Sequence, residues 1–325
     1  MTAPKVTVSV TAFNHAPFIR QALDGVLAQR ADFPFEILVG EDNSSDGTRD
    51  IVREYAARHP ERIAAIFHDD AGKLRINGRL TGRANLAHNL TAARGEYVAL
   101  LDGDDYWTDD TKLARQVEQL DADRTLSTSF HHAVVVDVSG APIASPKTIQ
   151  TIKPRYRLEE MIAGEFEAQT CTVMFRREAI TPLPRWFFET AVGDFVLHVT
   201  NGHCGDFGYI DRPMGCYRVH GGGVWSQGRG AADWAGKSAE QSRRSLNRFV
   251  MMTDLLGAVA RHSSARYRPI ARRRCAFFAY AAAKFAGGIG DKAALRRSLK
   301  VLLLSHPWPQ DVRWPVLWRL FKKSL

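Results

Sequence analysis

A short strand that ends in an acidic cluster constrains the fold of this chain more than any other stretch. The apolar run from Tyr97 to Leu101 has the character of a buried strand and leads directly into Asp102, Asp104 and Asp105. Carboxylates this close repel one another, and a hard divalent cation with oxygen ligands is the simplest source of compensating charge. The alternative is an acidic turn that caps the next helix.

The first hundred residues alternate strand and helix patterns. Strand-like runs at Val6–Phe13, Glu36–Val39 and Ile63–Phe67 are separated by apolar residues at helical spacing. Repeated βα units of this length imply a parallel sheet with helices on both faces, and such sheets bind ligands beyond the carboxyl ends of their strands. The predicted fold class is α/β: a Rossmann-like, mostly parallel sheet flanked by helices, followed by a helical C-terminal region.

Polar clusters follow three of the predicted strands, at Thr11–Asn14, Glu41–Thr48 and Asp102–Asp104. All three fall at the same edge of the sheet, which favours a nucleotide-type crevice there. The residues Glu41–Thr48 have the donors and acceptors to bind a base edge and ribose hydroxyls, or they form an ordinary turn that caps a helix. The sequence contains neither G-x-G-x-x-G after the first strand nor a P-loop motif, which disfavours dinucleotide and P-loop NTPase sites.

The net charge of +9 is distributed unevenly along the chain. Residues 1–230 contain 25 Lys and Arg against 30 Asp and Glu, whereas residues 231–325 contain 19 against 5. We therefore expect a catalytic domain at 1–230 and a basic helical region at 231–325. Basic helices with tryptophan lie on anionic lipid or hold a polyprenyl-phosphate acceptor, or they pack on the catalytic domain; no nucleic-acid-binding module is recognisable.

The remaining global features predict a cytoplasmic protein. The amino terminus runs into the first strand without the pattern of a signal peptide, and no window has about 20 uninterrupted apolar residues. If the basic region binds lipid, the protein is expected to be peripheral on the inner face of the plasma membrane. The four cysteines are far apart, which argues against a zinc knuckle or a disulfide framework.

The motifs, taken in order, resemble those of the family 2 glycosyltransferases, which have a GT-A fold. The segments that carry this resemblance are Val8–Asn14, Glu41–Thr48, Arg83–Asn85, Ala93–Tyr97 and Leu101–Asp105. The resemblance covers about residues 5–225. The ordered set is far more specific than any one of its parts.

The resemblance implies a set of site residues. The implied nucleotide-sugar-binding residues are Ala12, Phe13, Asn14, Glu41, Asp42, Ser44, Arg83, Asp102, Gly103 and Trp225. Within this set, Asp42 matches the position that reads the nucleobase, and Asp102 matches the first Asp of the D-x-D motif, near the ribose. Asp104 matches the metal-coordinating Asp, with His220 as a second candidate ligand, and the expected cofactor is Mg²⁺ or Mn²⁺. A lone histidine at a strand end is equally often structural.

Asp194 matches the general base that deprotonates the acceptor hydroxyl in the family. It opens an apolar helix pattern, so helix capping is the alternative role. The family usually has Glu-Asp at this point, whereas this chain has Gly193-Asp194, which leaves one candidate carboxylate. Trp225 follows three glycines and is a candidate lid aromatic.

These inferences predict an inverting, metal-dependent glycosyltransferase. It would use a UDP- or dTDP-sugar and act on a hydroxyl of a glycan, a lipid-linked glycan or another cell-surface polymer. One alternative is a nucleotidyltransferase of the same fold, disfavoured because its Gly- and Lys/Arg-rich loop after the first strand is absent. The other is a non-catalytic scaffold that binds a membrane or a partner through the basic region.

Overall fold

The structure is a computed structural model that describes residues 3–76, 78–144, 148–220, 239–305 and 313–324. The chain divides into two compact units. The first unit comprises Met1–Glu189 and Gly193–Val219, and the second comprises Thr190–Val192 and His220–Leu325.

The first unit alternates strands and helices along the chain. Its strands are β1 (Val6–Ala12), β2 (Phe35–Glu41), β3 (Ile63–Phe67), β4 (Leu74–Ile76), β5 (Arg79–Thr81), β6 (Tyr97–Asp102), β7 (Tyr106–Trp107), β8 (Leu126–His131), β9 (Val134–Val136), β10 (Arg155–Tyr156), β11 (Met174–Arg176), β12 (Asp206–Ile210) and β13 (Gly215–Arg218). Its helices are α1 (Ile19–Leu27), α2 (Thr48–Arg58), α3 (Arg83–Ala92), α4 (Lys112–Ala122), α5 (Leu158–Ala163) and α6 (Gly193–Cys204).

The largest sheet has eight strands in the order β10-β12-β8-β11-β6-β1-β2-β3. The pairs among β6, β1, β2 and β3 are all parallel, as is the pair of β8 with β12. The short strand β11 is antiparallel to both of its neighbours, and so is β10 to β12. The predicted mostly parallel sheet with flanking helices and a helical C-terminal region is therefore confirmed.

The core explains why β1 takes the central place. Its alternate residues Val6, Val8 and Val10 are fully buried against apolar residues of α1 and α4. The intervening residues face polar partners: Ser9 accepts a hydrogen bond from Nδ2 of Asn89 at 3.1 Å. Asn89 also donates to the carbonyl of Val10, so α3 is attached to this face of the sheet by amide contacts.

Helix α4 buries two polar side chains in the first unit. Lys112 and Gln116 are both fully buried. The Nζ atom of Lys112 lies 4.0 Å from the centre of the Trp107 ring and donates to Oε1 of Gln116 at 2.6 Å. Burial lowers the pKa of Lys112 to about 7, an effect that the Cys171 thiol partly opposes.

The second unit is helical in its described part. It contains α7 (Ala239–His262), α8 (Arg268–Ile289), α9 (Lys292–Leu304) and α10 (Trp314–Ser324). Its core combines the alanine-rich face of α8 with leucines of the other helices, such as Leu246, Leu295 and Leu317. None of the helices in the described part of the chain has both the length and the apolar character needed to cross a membrane.

The buried Lys112 predicts a specific dependence of stability on pH. The folded state has the lower pKa, so the unfolded chain binds more protons at this residue between about pH 7 and 10.5, and stability rises with pH across that range. Relative to Lys112→Met, the wild type should gain at most about 1.4 kcal/mol per pH unit. Denaturant unfolding of both proteins between about pH 7.5 and 9.5 measures this difference. Curves that stay parallel would contradict it.

Candidate functional site

The three predicted polar strand ends lie next to one another near the centre of the large sheet. The register of β1 and β6 aligns Thr11 with Asp102. Beyond the strands, the backbone N–H of Gly103 donates to the carbonyl of Thr11 at 2.8 Å, and that of Asp42, after β2, donates to the carbonyl of Ala12 at 2.9 Å. The carboxyl ends of β1, β2 and β6 therefore form one continuous edge.

The loops after β1 and β2 are joined by side-chain hydrogen bonds. The N–H of Asn14 donates to Oγ of Ser44 at 2.9 Å, and the N–H of Ser45 donates to Oδ1 of Asn14 at 3.0 Å. Asn14 has φ of 56°, a left-handed conformation that asparagine tolerates better than most residues. Glu41 is fully buried, and its carboxylate accepts from the N–H of Ser44 at 2.7 Å and lies 3.5 Å from Nε of Arg49. Its side chain stabilises the loop.

Asp42 and Phe13 differ in exposure. Asp42 is 7% exposed, and burial raises its pKa against the opposing positive charge of Lys73. The Phe13 ring is 43% exposed, and Nζ of Lys73 lies 4.4 Å from its centre. Lys73 could not be predicted from the sequence, because it lies in a connection without a recognisable motif. An exposed ring near a carboxylate is a surface on which a planar base can stack and form hydrogen bonds.

The acidic residues after β6 have distinct surroundings. Oδ1 of Asp102 accepts a hydrogen bond from Oγ1 of Thr11 at 2.6 Å. Burial, and then the negative charge of Asp104, raise the pKa of Asp102 to about 7. Oδ2 of Asp104 lies 3.8 Å from Nε2 of His15. Burial is thus the larger cause of the raised pKa of Asp102, and the charge of Asp104 adds to it.

Arg218, at the end of β13, holds the acidic loop in place. Its N–H donates to Oδ1 of the buried Asp105 at 2.7 Å, and its Nε donates to the carbonyl of Asp104 at 2.9 Å. Nη2 also donates to Oε1 of Gln21 at 2.7 Å, and the guanidinium lies 4.7 Å from the centre of the Phe18 ring. The role of Arg218 could not be predicted from the sequence, because an arginine in a strand pattern gives no local signal of such contacts.

Asp194 lies at the start of α6, where its Oδ1 accepts from the N–H of Phe195 at 2.8 Å. Its charge contributes to the raised pKa of Asp102, so the two carboxylates belong to one electrostatic cluster. Arg83 interacts electrostatically with Asp194: burial lowers the pKa of Arg83 to about 10, and the charge of Asp194 opposes that shift. The guanidinium of Arg83 lies 4.4 Å from the centre of the Phe187 ring. Arg83, expected near the nucleotide, is therefore a buried side chain on which the charge of the candidate base acts.

Two candidate residues remain, His220 and Trp225. His220 follows β13 and belongs to the second unit, and Trp225 lies outside the described residues. Among residues 3–76, 78–144, 148–220, 239–305 and 313–324, no three His, Cys, Asp or Glu side chains group closely enough to hold a metal ion.

Comparison with known proteins identifies a matching family and related sequences. The family model described as Glycosyl transferase family 2 matches residues 7–181, which is more than half of the chain. An uncharacterized protein of Mycobacterium tuberculosis is 34% identical over 215 residues, which cover 66% of this chain and 58% of the relative. The chain thus aligns with less than two thirds of that relative's length.

Two solved structures share the fold. S. aureus TarS 1-349 in complex with UDP-GlcNAc has a TM-score of 0.54 at 16% identity, covering 93% of this chain and 89% of TarS. The mannosyltransferase PcManGT from Pyrobaculum calidifontis, in complex with GDP-Man and Mn²⁺, has a TM-score of 0.56 at 19% identity, covering 100% and 80%. The expected GT-A fold is confirmed by these likenesses.

Proposed function

This chain belongs to glycosyl transferase family 2, and from that premise we propose that it transfers a sugar from a nucleoside diphosphate sugar to a hydroxyl group of a glycan, a lipid-linked glycan or another cell-surface polymer. The observation that carries this proposal is the convergence of carboxylates from three separate segments. Asp42 and Asp102 lie on either side of the end of β1, and the charge of Asp194 acts on Asp102. Two proteins with the same fold are known with UDP-GlcNAc and with GDP-Man bound.

Donor binding is assigned to the edge formed by β1, β2 and β6. Asp42 would accept hydrogen bonds from the base, which we propose to be uracil or thymine, while the exposed Phe13 ring offers a stacking surface. Asp102 would accept from the ribose hydroxyls, with its other oxygen fixed by Thr11. Glu41, Asn14 and Ser44 would act mainly by holding the two loops together, since their side chains already bond one another or the adjoining backbone.

The residues present fit a divalent cation, Mg²⁺ or Mn²⁺, at Asp104. Carboxylate oxygens are the ligands such hard cations prefer, and Mg²⁺ is commonly held by one or two carboxylates together with substrate phosphates. The pKa of Asp102, raised by burial and by Asp104, indicates negative charge that a cation would offset. When bound, the cation neutralises charge on the departing diphosphate. His220 stays a candidate ligand by resemblance.

The proposed reaction is a single displacement at the anomeric carbon, with inversion. The bond from the acceptor oxygen to that carbon forms as the bond to the diphosphate oxygen breaks, and the nucleoside diphosphate leaves with the bonding electrons. Asp194 takes the proton of the acceptor hydroxyl. A base in this position contributes typically about 10²- to 10⁴-fold to the rate.

The helical unit is proposed to contact an anionic membrane surface, which would place the protein at the inner face of the plasma membrane. Leu303 and Leu304 of α9 are 46% and 72% exposed, and Trp318 of α10 is 65% exposed. The groove between these helices has a volume of about 300 Å³ and includes Lys300 in its lining, while Nζ of Lys322 lies 5.6 Å from the centre of the Trp318 ring. Exposed apolar residues next to cations are typical of interfacial helices.

Glycosyl transfer is tested by release of nucleoside diphosphate from UDP-, dTDP- and GDP-sugars with Mn²⁺, using water as the acceptor where no other is known. Asp104→Ala should lower turnover because the leaving group loses its compensating charge, and Asp194→Asn should lower kcat about 10²- to 10⁴-fold. Chelation of the divalent cation should stop the reaction of the wild type.

The matched control is Asp50→Ala, which removes a carboxylate whose side chain is 81% exposed on α2 and should leave turnover unchanged. Circular dichroism of each variant verifies folding. Wild-type turnover in both Asp104→Ala and Asp194→Asn would refute the assigned roles. Release of pyrophosphate from a nucleoside triphosphate and a sugar phosphate would identify a nucleotidyltransferase instead.

Membrane contact is tested by flotation with phosphatidylglycerol vesicles and with phosphatidylcholine vesicles. The wild type should float with the anionic vesicles, less at high salt because screening weakens the contact of Lys300 and Lys322. Leu304→Ser should reduce flotation, whereas Leu80→Ser, which changes a leucine 50% exposed in the first unit, should not. Equal flotation of both variants, or equal binding to both kinds of vesicle, would contradict the assignment.

A further inference from the structure

The side chain of Arg218 joins the acidic loop after β6 to two other segments of the first unit. Its Nε donates to the carbonyl of Asp104 at 2.9 Å. Its Nη1 donates to the carbonyls of Asp137 and Val138, in the turn after β9, at 3.2 and 3.1 Å, and its Nη2 donates to Oε1 of Gln21, on α1, at 2.7 Å. Each nitrogen of this buried guanidinium therefore bonds a different segment.

The pairing of β13 determines where Arg218 lies. Strand β13 is antiparallel to β7, and its Cys216 lies opposite Tyr106. When this register is continued beyond the paired residues, Arg218 comes opposite Asp104. There the backbone N–H of Arg218 donates to Oδ1 of the buried Asp105 at 2.7 Å. Arg218 thus reaches the acidic loop from the end of a strand, so its backbone is held by the small sheet.

The acidic loop is held on both sides of the Asp104 side chain. Before it, the N–H of Gly103 donates to the carbonyl of Thr11 at 2.8 Å. After it, the carbonyl of Asp104 accepts the hydrogen bond from Nε of Arg218. The planar peptide group of that carbonyl adjoins the carbon that carries the carboxylate, so turning the peptide group also redirects the carboxylate. Loss of the Arg218 bond should therefore leave the direction of the Asp104 carboxylate less fixed.

The contacts of Arg218 require a planar group with several donors. The guanidinium lies 4.7 Å from the centre of the Phe18 ring and 5.1 Å from the centre of the Tyr106 ring. Because a guanidinium has its N–H donors in one rigid plane, it can bond the acidic loop, α1 and the turn after β9 at the same time. A lysine carries the same charge on a single nitrogen and cannot span these acceptors.

We propose that Arg218 is a positioning residue for the cation site: by holding the carbonyl of Asp104, its guanidinium directs the Asp104 carboxylate toward the cation. This rests on the proposed role of Asp104 as a cation ligand. Because Arg218 acts through Asp104, its replacement should weaken cation binding and leave the metal-free binding of UDP unchanged. Groups that orient a metal-ligating carboxylate typically contribute about 10- to 100-fold to metal affinity.

The test measures Mn²⁺ binding to Arg218→Lys in the presence of UDP, with free Mn²⁺ followed by electron paramagnetic resonance. The substitution keeps the positive charge, so a change in affinity reports the lost geometry and not altered repulsion of the cation. The dissociation constant for Mn²⁺ should rise about 10- to 100-fold. Calorimetry with UDP and no metal should give the wild-type affinity. Gln21→Met, which removes only the acceptor of Nη2, is a milder second variant and should weaken Mn²⁺ binding less.

The matched control is Arg176→Lys, which replaces another buried arginine of the first unit. Nε of Arg176 donates to the carbonyl of Leu126 on β8 at 2.9 Å, and its Nη2 donates to the carbonyl of Leu120 on α4 at 2.5 Å. Its replacement should lower the melting temperature, because buried carbonyls lose their donors, and should leave the affinity for Mn²⁺ unchanged. Equal weakening of Mn²⁺ binding in Arg176→Lys and Arg218→Lys would refute the positioning role.

Asp104→Ala in the same titration separates this proposal from the assignment of the cation ligand. If Asp104→Ala loses Mn²⁺ binding while Arg218→Lys keeps the wild-type affinity, the positioning role is refuted and the ligand assignment stands. If Asp104→Ala binds Mn²⁺ like the wild type, or the wild type binds none, both fail. A melting temperature verifies that each variant is folded during the titration. Should Arg218→Lys not fold, wild-type Mn²⁺ affinity in Gln21→Met refutes the positioning role instead.

Discussion

Parallel pairing of β1 with both β2 and β6 is the constraint on which the candidate site depends. Each strand ends in polar residues, and the register brings these ends to one edge, with Thr11 opposite Asp102. The apolar residues Val6, Val8 and Val10 fix this register, because a shift by one residue would turn them away from the core. The apolar core therefore fixes the strand register, and the register determines where the carboxylates lie. The carboxylates stay close together despite their mutual repulsion because the register of the strands holds them there.

Buried cations interact, directly or through a neighbouring group, with the acidic residues of the candidate site. Arg218 binds the loop directly, through the Asp104 carbonyl and the Asp105 carboxylate. Lys112 lies farther back: the thiol of Cys171 bonds Asp105 and also interacts with Lys112. Arg83 is buried as well, and the charge of Asp194 acts on it. A buried charge costs several kcal/mol unless it is paired, so these groups are expected to make the loop rigid around its negative charge.

The sequence predicted those features that follow from local patterns. The strands and the meeting of their carboxyl ends could be predicted from apolar runs followed by polar clusters, because the chemistry of a strand end is local. The contacts of Lys112, Arg218 and Lys73 could not, since each joins segments that no periodicity connects. The same holds for Arg83, whose motif suggested the nucleotide. Its close approach to Gly193 depends on how α3 and α6 approach each other, and no local pattern encodes that approach.

A β-carbon on residue 193 would lie within 2.6 Å of three atoms of the Arg83 guanidinium, so glycine at this position leaves the space that the guanidinium fills. Two residues that share one space cannot vary independently. A larger side chain at residue 193 is therefore expected in related sequences only together with a shorter side chain at residue 83.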